Sequence, residues 1–291
     1  MKDLFLRGAG PALVTPFKCD GSVDYDAYVR LVKRQVEGGA DFLVALATSA
    51  EAPVLSAEEK LKLLALTREN AGGLPIIVGA GSNSIPGTKA NMELLKDADA
   101  WLIVVPFYNK PTQEGMFLYY KAICEATDKP VIIYNVPGRT GANMLPETAL
   151  KLARKVPGIA GTKEASGKYD QIKAIIDGAP KGFAVLSGDD DMTYDIIAAG
   201  GHGVVSVAQN VLPKPVVEMA HLALDGRLSE AKHMNERLQA LFKGCFVESN
   251  PIPAKAALAQ LGLCTKTMRL PLTDATAKTE ETISEILNQW K

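Results

Sequence analysis

The chain has 291 residues, 47% of them hydrophobic, with 32 basic against 33 acidic side chains and a formal net charge of -1. A chain of this length can bury a large core, and so even a charge balance argues against nucleic acid or an anionic membrane as partner. Cys19, Cys124, Cys245 and Cys264 are scattered with no Cys-x-x-Cys spacing, which argues against a zinc knuckle or a disulfide framework and predicts buried thiols in a reducing compartment. The opening apolar stretch, Met1 to Gly8, is too short for a signal peptide, and no later run approaches the roughly 20 residues of a membrane span, so a cytoplasmic location is expected.

In chain order, the short apolar runs that read as strands are 12–17, 42–48, 75–81, 101–108, 130–136, 159–165, 183–189 and 203–209. Amphipathic helices are predicted between them at 25–37, 57–70, 84–95, 112–126, 146–154 and 169–176. Ser56 with Glu59 three residues later reads as a capping box, and Gly38-Gly39 and Gly72-Gly73 as helix stops. The strands are continuously apolar, as strands covered on both faces are, and no topological switch point of a doubly wound sheet is found. Eight strand-and-helix units predict an α/β fold, the (β/α)8 TIM barrel. Roughly 80 residues follow the eighth strand, more than one closing helix needs. Helical periodicity at 216–224, 228–242, 252–261 and 280–290 predicts a C-terminal helical extension. The expected division is a catalytic barrel over 1–225 and the extension over 226–291.

Lys163 stands out because it lies inside Gly-Ile-Ala-Gly-Thr-Lys-Glu-Ala, an otherwise apolar strand. An ammonium in a dry interior loses hydration, which would draw its pKa from about 10.4 toward roughly 7 to 8 and leave an amine able to form a Schiff base. Its neighbours of like parity are Ile159, Gly161 and Ala165, and the two small ones would leave room for a ligand. The competing reading is a strand-end lysine that snorkels to solvent or pairs with Glu164.

In a barrel the chemistry sits at the C-terminal ends of the strands. There the sequence offers Ala47-Thr48-Ser49-Ala50-Glu51, Phe107-Tyr108-Asn109, the run from Tyr134 through Arg139 to Gly141, and Lys163. A metal has little support, since His202, His221 and His233 lie apart, and Asp189-Asp190-Asp191 reads as a capping and loop element sooner than as a cation site. The glycines after strands 7 and 8 also admit a phosphate cradle.

These residues resemble the dihydrodipicolinate synthase family, also called 4-hydroxy-tetrahydrodipicolinate synthase, among the lysine-dependent aldolases related to N-acetylneuraminate lyase. The resemblance spans essentially the whole chain. It is carried by Ala12-Leu13-Val14-Thr15-Pro16-Phe17, Tyr108-Asn109-Lys110-Pro111, Tyr134 to Gly141, Gly161-Thr162-Lys163-Glu164-Ala165, Ser187-Gly188-Asp189-Asp190, Gly200 to Ser206, and Glu248 to Lys255. It implies a lyase that condenses pyruvate with aspartate 4-semialdehyde through a Lys163 imine, at the entry to diaminopimelate and lysine synthesis, with no external cofactor. Tyr134, Thr48 and Tyr108 correspond to a hydroxyl relay, with Tyr134 as general acid and base. Tyr108 would reach a neighbouring subunit's site, in a homotetramer built of tight dimers. Thr48, Ser49 and nearby backbone would hold the pyruvate carboxylate and Arg139 that of the semialdehyde; Ala50, Gly188 and the Val205 carbonyl complete the implied substrate site.

Two departures bear on this. The family's turn after strand 2 reads Gly-Thr-Thr-Gly-Glu, so Ala47 and Ala50 place methyl groups where positive φ is expected to require glycine, and a shifted pyruvate pocket is anticipated. The positions that bind lysine in lysine-inhibited members correspond to Gly87, Lys60 or Ala57, and Phe107, so weak or absent lysine inhibition is expected in a calorimetric titration. The alternatives are a related pyruvate aldolase or dehydratase acting on another aldehyde or sugar acid, and a catalytically silent barrel that binds a keto acid.

Overall fold

Eight parallel strands form a single sheet in the computed structural model, which describes residues 6–290. Residues 1–5, part of the stretch weighed as a leader, and residue 291 lie outside the described residues, and with them the outer limits of the two expected domains. The strands are β1 (Gly8–Pro11), β2 (Leu43–Ala45), β3 (Ile76–Gly79), β4 (Ala100–Val104), β5 (Val131–Asn135), β6 (Ile159–Glu164), β7 (Ala184–Ser187) and β8 (Gly203–Ser206). They run in the order β1-β8-β7-β6-β5-β4-β3-β2. A parallel bridge between Ala12 and Val44 and the bond from the Leu13 N–H to the Val44 carbonyl, 2.9 Å, join β1 to β2 and close the barrel.

The helices follow their sequence signals closely. α1 (Tyr25–Glu37) starts where the Asp24 carboxylate accepts from the Ala27 N–H, and α2 (Ala57–Asn70) where Ser56 and Glu59 form the reciprocal capping box. Then come α3 (Ile85–Leu94), α4 (Gln113–Cys124), the single turn α5 (Pro137–Thr140), α6 (Pro146–Lys155), α7 (Tyr169–Gly178), α8 (Thr193–Ala198) and α9 (Pro213–Leu224). The extension is α10 (Leu228–Gly244), α11 (Ile252–Gln260) and α12 (Ala277–Asn288), packed on α9 through Leu238, Leu241, Phe242, Ile283 and Ile286. No helix among the described residues is long and apolar enough to cross a membrane.

Three sequence expectations need correction. The first strand is Gly8–Pro11, not 12–17: Leu13 to Pro16 form a buried connection, and apolar content alone does not separate a buried strand from a buried loop. Strand-poor glycines conceal the true β1, where Gly10 is required because a methyl there would lie 2.2 Å from the Phe42 ring. Strict alternation also fails along β6. A register shift between Val131 and Ile132 turns Ile159 to the outer layer and Ala160 to the interior, so Ile159 does not share a face with Lys163. Finally, the thiols are free but not all buried, since Cys19 is exposed.

Candidate active site

The chemistry-bearing residues come together because neighbouring strands are in register. Tyr134 on β5 pairs with Lys163 on β6, and Lys163 with Leu186 on β7, so side chains at these positions share the barrel's C-terminal end. Lys163 is 3% exposed, which excludes snorkelling. Its Nζ lies 4.3 Å from the centre of the Tyr134 ring. Among the described residues no carboxylate comes within 4.0 Å of it. Glu164 projects to the other face of β6, where it accepts from the Asn135 amide at 3.2 Å and the Thr162 hydroxyl at 3.4 Å. Burial pushes its carboxyl up to about 7. The expected room beside Gly161 is not there either: a methyl at that position would sit 2.6 Å from the Ala184 carbonyl, so this glycine lets β6 and β7 approach closely.

A cavity of about 450 Å³ opens over this end of the barrel, lined among others by Thr48, Val104, Tyr134, Arg139 and Asn250. Thr48 opens the one-turn 3₁₀ segment Thr48–Ala50 that follows β2. Ser49 behind it is buried, its hydroxyl 3.0 Å from the Asn250 amide nitrogen that donates to it. Arg139 leaves α5 and donates to the Asn250 carbonyl at 3.1 Å. Asn250 therefore ties two predicted carboxylate-binding residues together, a role the motif around it did not reveal because its partners lie 201 and 111 residues away.

The turn also corrects the expectation about its alanines. Ala47 has φ -88°, and Ala50 is in the 3₁₀ turn with its carbonyl accepting from Thr15 Oγ1 at 2.8 Å. Left-handed backbone falls instead on Leu46, φ 54°, and Glu51, φ 53°. No methyl penalty arises at the two alanines.

Val205 is buried among the interior residues with Tyr134 and Leu186. Gly188 donates its N–H to the Glu164 carbonyl at 2.6 Å, in a place where a methyl would press on Ala165. Next to it, burial raises the Asp189 carboxyl to about 6 despite the nearby Lys163 charge, which acts to lower it. Asp190 is spent on structure, accepting from the Ser206 hydroxyl and from the Val207 and Ala208 N–H groups at 3.0 and 3.1 Å. No cluster of three or more His, Cys, Asp or Glu suited to a metal occurs among the described residues. Tyr108 is the candidate left outside: its backbone is left-handed, φ 71°, and its side chain is 88% exposed, away from the cavity. Lys60 and Phe107 line the same cavity, whereas Gly87 lies in the first turn of α3, where its N–H donates to Ser84.

The family model that matches this chain is that of the dihydrodipicolinate synthetase family, over residues 6–290. The 4-hydroxy-tetrahydrodipicolinate synthase of Phocaeicola vulgatus is 47% identical over 292 residues, covering 98% of this chain and 97% of its own. The crystal structure of dihydrodipicolinate synthase from Thermotoga maritima superposes with a TM-score of 0.95 at 43% identity, over 97% of this chain and 98% of that one. The chloride-inhibited enzyme of Acinetobacter baumannii, complexed with pyruvate, gives a TM-score of 0.95 at 40% identity over 98% of each chain. Agreement of sequence along nearly the whole length, and of fold at the same time, means that the chain belongs to the dihydrodipicolinate synthetase family.

Proposed function

We propose that Lys163 is the nucleophile with which this member of the family condenses pyruvate and L-aspartate 4-semialdehyde, as a lyase acting in diaminopimelate and lysine synthesis. The observation that carries the assignment is an amine buried at a strand end, without an anionic partner among the described residues and 4.3 Å from the Tyr134 ring. Lys163 attacks the pyruvate ketone, and loss of water leaves a protonated imine. The imine nitrogen accepts the electron pair released when a methyl proton departs, so the reaction needs no external cofactor. The resulting enamine carbon attacks the aldehyde carbon, and the aldehyde oxygen gains a proton to become a hydroxyl. The substrate's own amine then adds to the imine carbon and displaces Lys163.

Tyr134, with Thr48, moves the protons of these steps. Thr48, Ser49 and the adjoining backbone hold the pyruvate carboxylate, and the fork of Arg139 suits that of the semialdehyde. Ala50 closes the turn that carries Thr48, Gly188 keeps β7 tight against β6, and Val205, buried in the same interior cluster, completes the substrate site through its carbonyl. The exposure of Tyr108 leaves it free to enter a second copy's site in a tight dimer, and we take the assembly to be a homotetramer of such dimers, located in the cytoplasm. We take 1–225 as the catalytic barrel and 226–291 as its extension.

Intact mass after incubation with pyruvate and borohydride tests this. A pyruvyl adduct is expected on the parent protein and not on Lys163→Ala, followed by turnover with the semialdehyde; native mass of the trapped sample reads whether the labelled species is a tetramer. A parent without adduct would remove Lys163 from the mechanism, and an adduct without turnover would point to another aldehyde.

A further inference from the structure

The turn after β2 is built against its own backbone preferences. Leu46 and Glu51 bracket Ala47 to Ala50, and both take the left-handed conformation that residues with a Cβ avoid. Such a conformation persists only where the surroundings over-determine it. At Glu51 the surroundings are electrostatic. Its side chain is 1% exposed, and Oε1 lies 2.9 Å from Nζ of Lys255, itself 0% exposed and carried by α11. The ammonium also lies 4.2 Å from the centre of the Phe17 ring, and the Arg269 guanidinium lies 4.5 Å from that same ring. Glu51 Oε2 accepts the Arg269 backbone N–H at 3.3 Å, while the Arg269 side chain forks onto Glu59 at the head of α2 and donates to the Val54 carbonyl at 2.9 Å. Burial lowers the Lys255 pKa and the negative charge of Glu51 opposes that shift.

A buried ion pair is weak evidence for stability, because apolar residues of like volume often serve as well; its better attested use is to specify one geometry. What this pair specifies is adjacent to the chemistry. The Glu51 N–H donates to the Thr48 carbonyl at 3.1 Å, so slack at Glu51 is transmitted directly to Thr48. Lys163 and Tyr134 stand on β6 and β5 and share no hydrogen bond with this turn among the described residues.

We propose that Glu51 and Lys255 are positioning residues for pyruvate: the C-terminal extension reaches under the turn and sets the orientation in which Thr48 and its neighbouring N–H groups meet the pyruvate carboxylate. The proposal rests on the assignment of Thr48 to pyruvate given above. It assigns the extension a part in substrate binding as well as in packing.

The test is the pyruvate concentration that half-saturates borohydride trapping on Lys163, in the parent protein and in the double variant Glu51→Gln/Lys255→Met, which removes both charges and leaves neither buried alone. Folding is checked by circular dichroism and melting. The expected result is a half-saturating concentration raised tenfold or more, with a smaller fall in the trapping rate at saturation, since Thr48 also serves the proton transfers. A half-saturating concentration within twofold of the parent overturns the positioning role while leaving the Schiff base intact. A saturated rate that falls as far as the affinity also overturns it, since that is general loosening. A parent that traps no pyruvate removes the functional assignment and this proposal together. Should the double variant fail to fold, Lys255→Arg keeps the charge but changes the reach, and a rise in half-saturating pyruvate larger than any fall in the saturated rate is expected again; no rise overturns the proposal.

Discussion

Two lysines lie inside this molecule against an aromatic ring, Lys163 at 4.3 Å from the centre of Tyr134 and Lys255 at 4.2 Å from that of Phe17, and they do opposite things. Lys255 ends on Glu51 at 2.9 Å, so its charge is matched and its contacts join three distant parts of the chain. Lys163 has no such partner among the described residues and lies against the Tyr134 ring at the barrel interior. Burial alone therefore does not mark a reactive lysine. The absence of a carboxylate at hydrogen-bonding distance does, because a lysine nitrogen spent on an ion pair is tied to the fold whereas one without such a partner is free to meet a substrate.

Replacing each lysine by methionine separates the two roles most sharply. Lys255→Met leaves the Glu51 carboxylate buried and unpaired and is expected to destabilise the protein by about 3–5 kcal/mol, a fall of roughly 10 °C in melting midpoint. Lys163→Met removes an amine with no carboxylate within 4.0 Å among the described residues, and Asp189, whose carboxyl its charge acts on from further away, can take up a proton instead, so the midpoint is expected within about 2 °C of the parent or above it, with all trapping lost. Equal losses of stability in calorimetry would break the comparison.

Glu164 sharpens it from the other side of β6. With a folded pKa of about 7 against an ordinary 4.5, its carboxyl binds a proton more tightly in the native state. That contribution to stability is complete below pH 4.5 and is lost as the pH rises to about 7, about 3 kcal/mol in all. Glu164→Gln is expected to reduce this slope in urea unfolding between those pH values, leaving the part that Asp189 contributes below about pH 6, and to leave stability above pH 7 equal to or greater than the parent's. A carboxylate ionised by Lys163 would give the opposite slope, so the experiment also decides whether these sequence neighbours interact.

What the sequence disclosed follows the range of the interactions involved. α1 and α2 were legible to the residue because caps and apolar periodicity are local signals. Lys163 was legible because one cationic residue in an apolar strand is anomalous in itself. β1 was not, since Gly8-Ala9-Gly10-Pro11 has poor strand propensity and earns its place by close contact with Phe42 and a pairing with β8, nearly 200 residues on. α8, of six residues, is too short for its periodicity to register. The Glu51 to Lys255 pair spans 204 residues, and each of its members reads locally as a solvated surface charge.

The smallest expected effect concerns the alanines of the β2 turn. Had Ala47 or Ala50 adopted positive φ, glycine there would relieve strain and stabilise the protein by about 1 kcal/mol. Ala47 has φ -88° and the left-handed residues are Leu46 and Glu51, so glycine at either alanine only widens the conformational freedom of the unfolded chain. Ala47→Gly and Ala50→Gly are each expected to lower stability by about 0.5–1 kcal/mol. The shift in half-saturating pyruvate should stay under about threefold, less than 1 kcal/mol, because the Glu51 end of the turn remains held by Lys255. A rise in melting midpoint on either substitution would place the strain at the alanines. The buried pair would then be stabilising a turn whose difficult residues lie elsewhere, and the division of labour between the two lysines would have to be redrawn from the backbone outward.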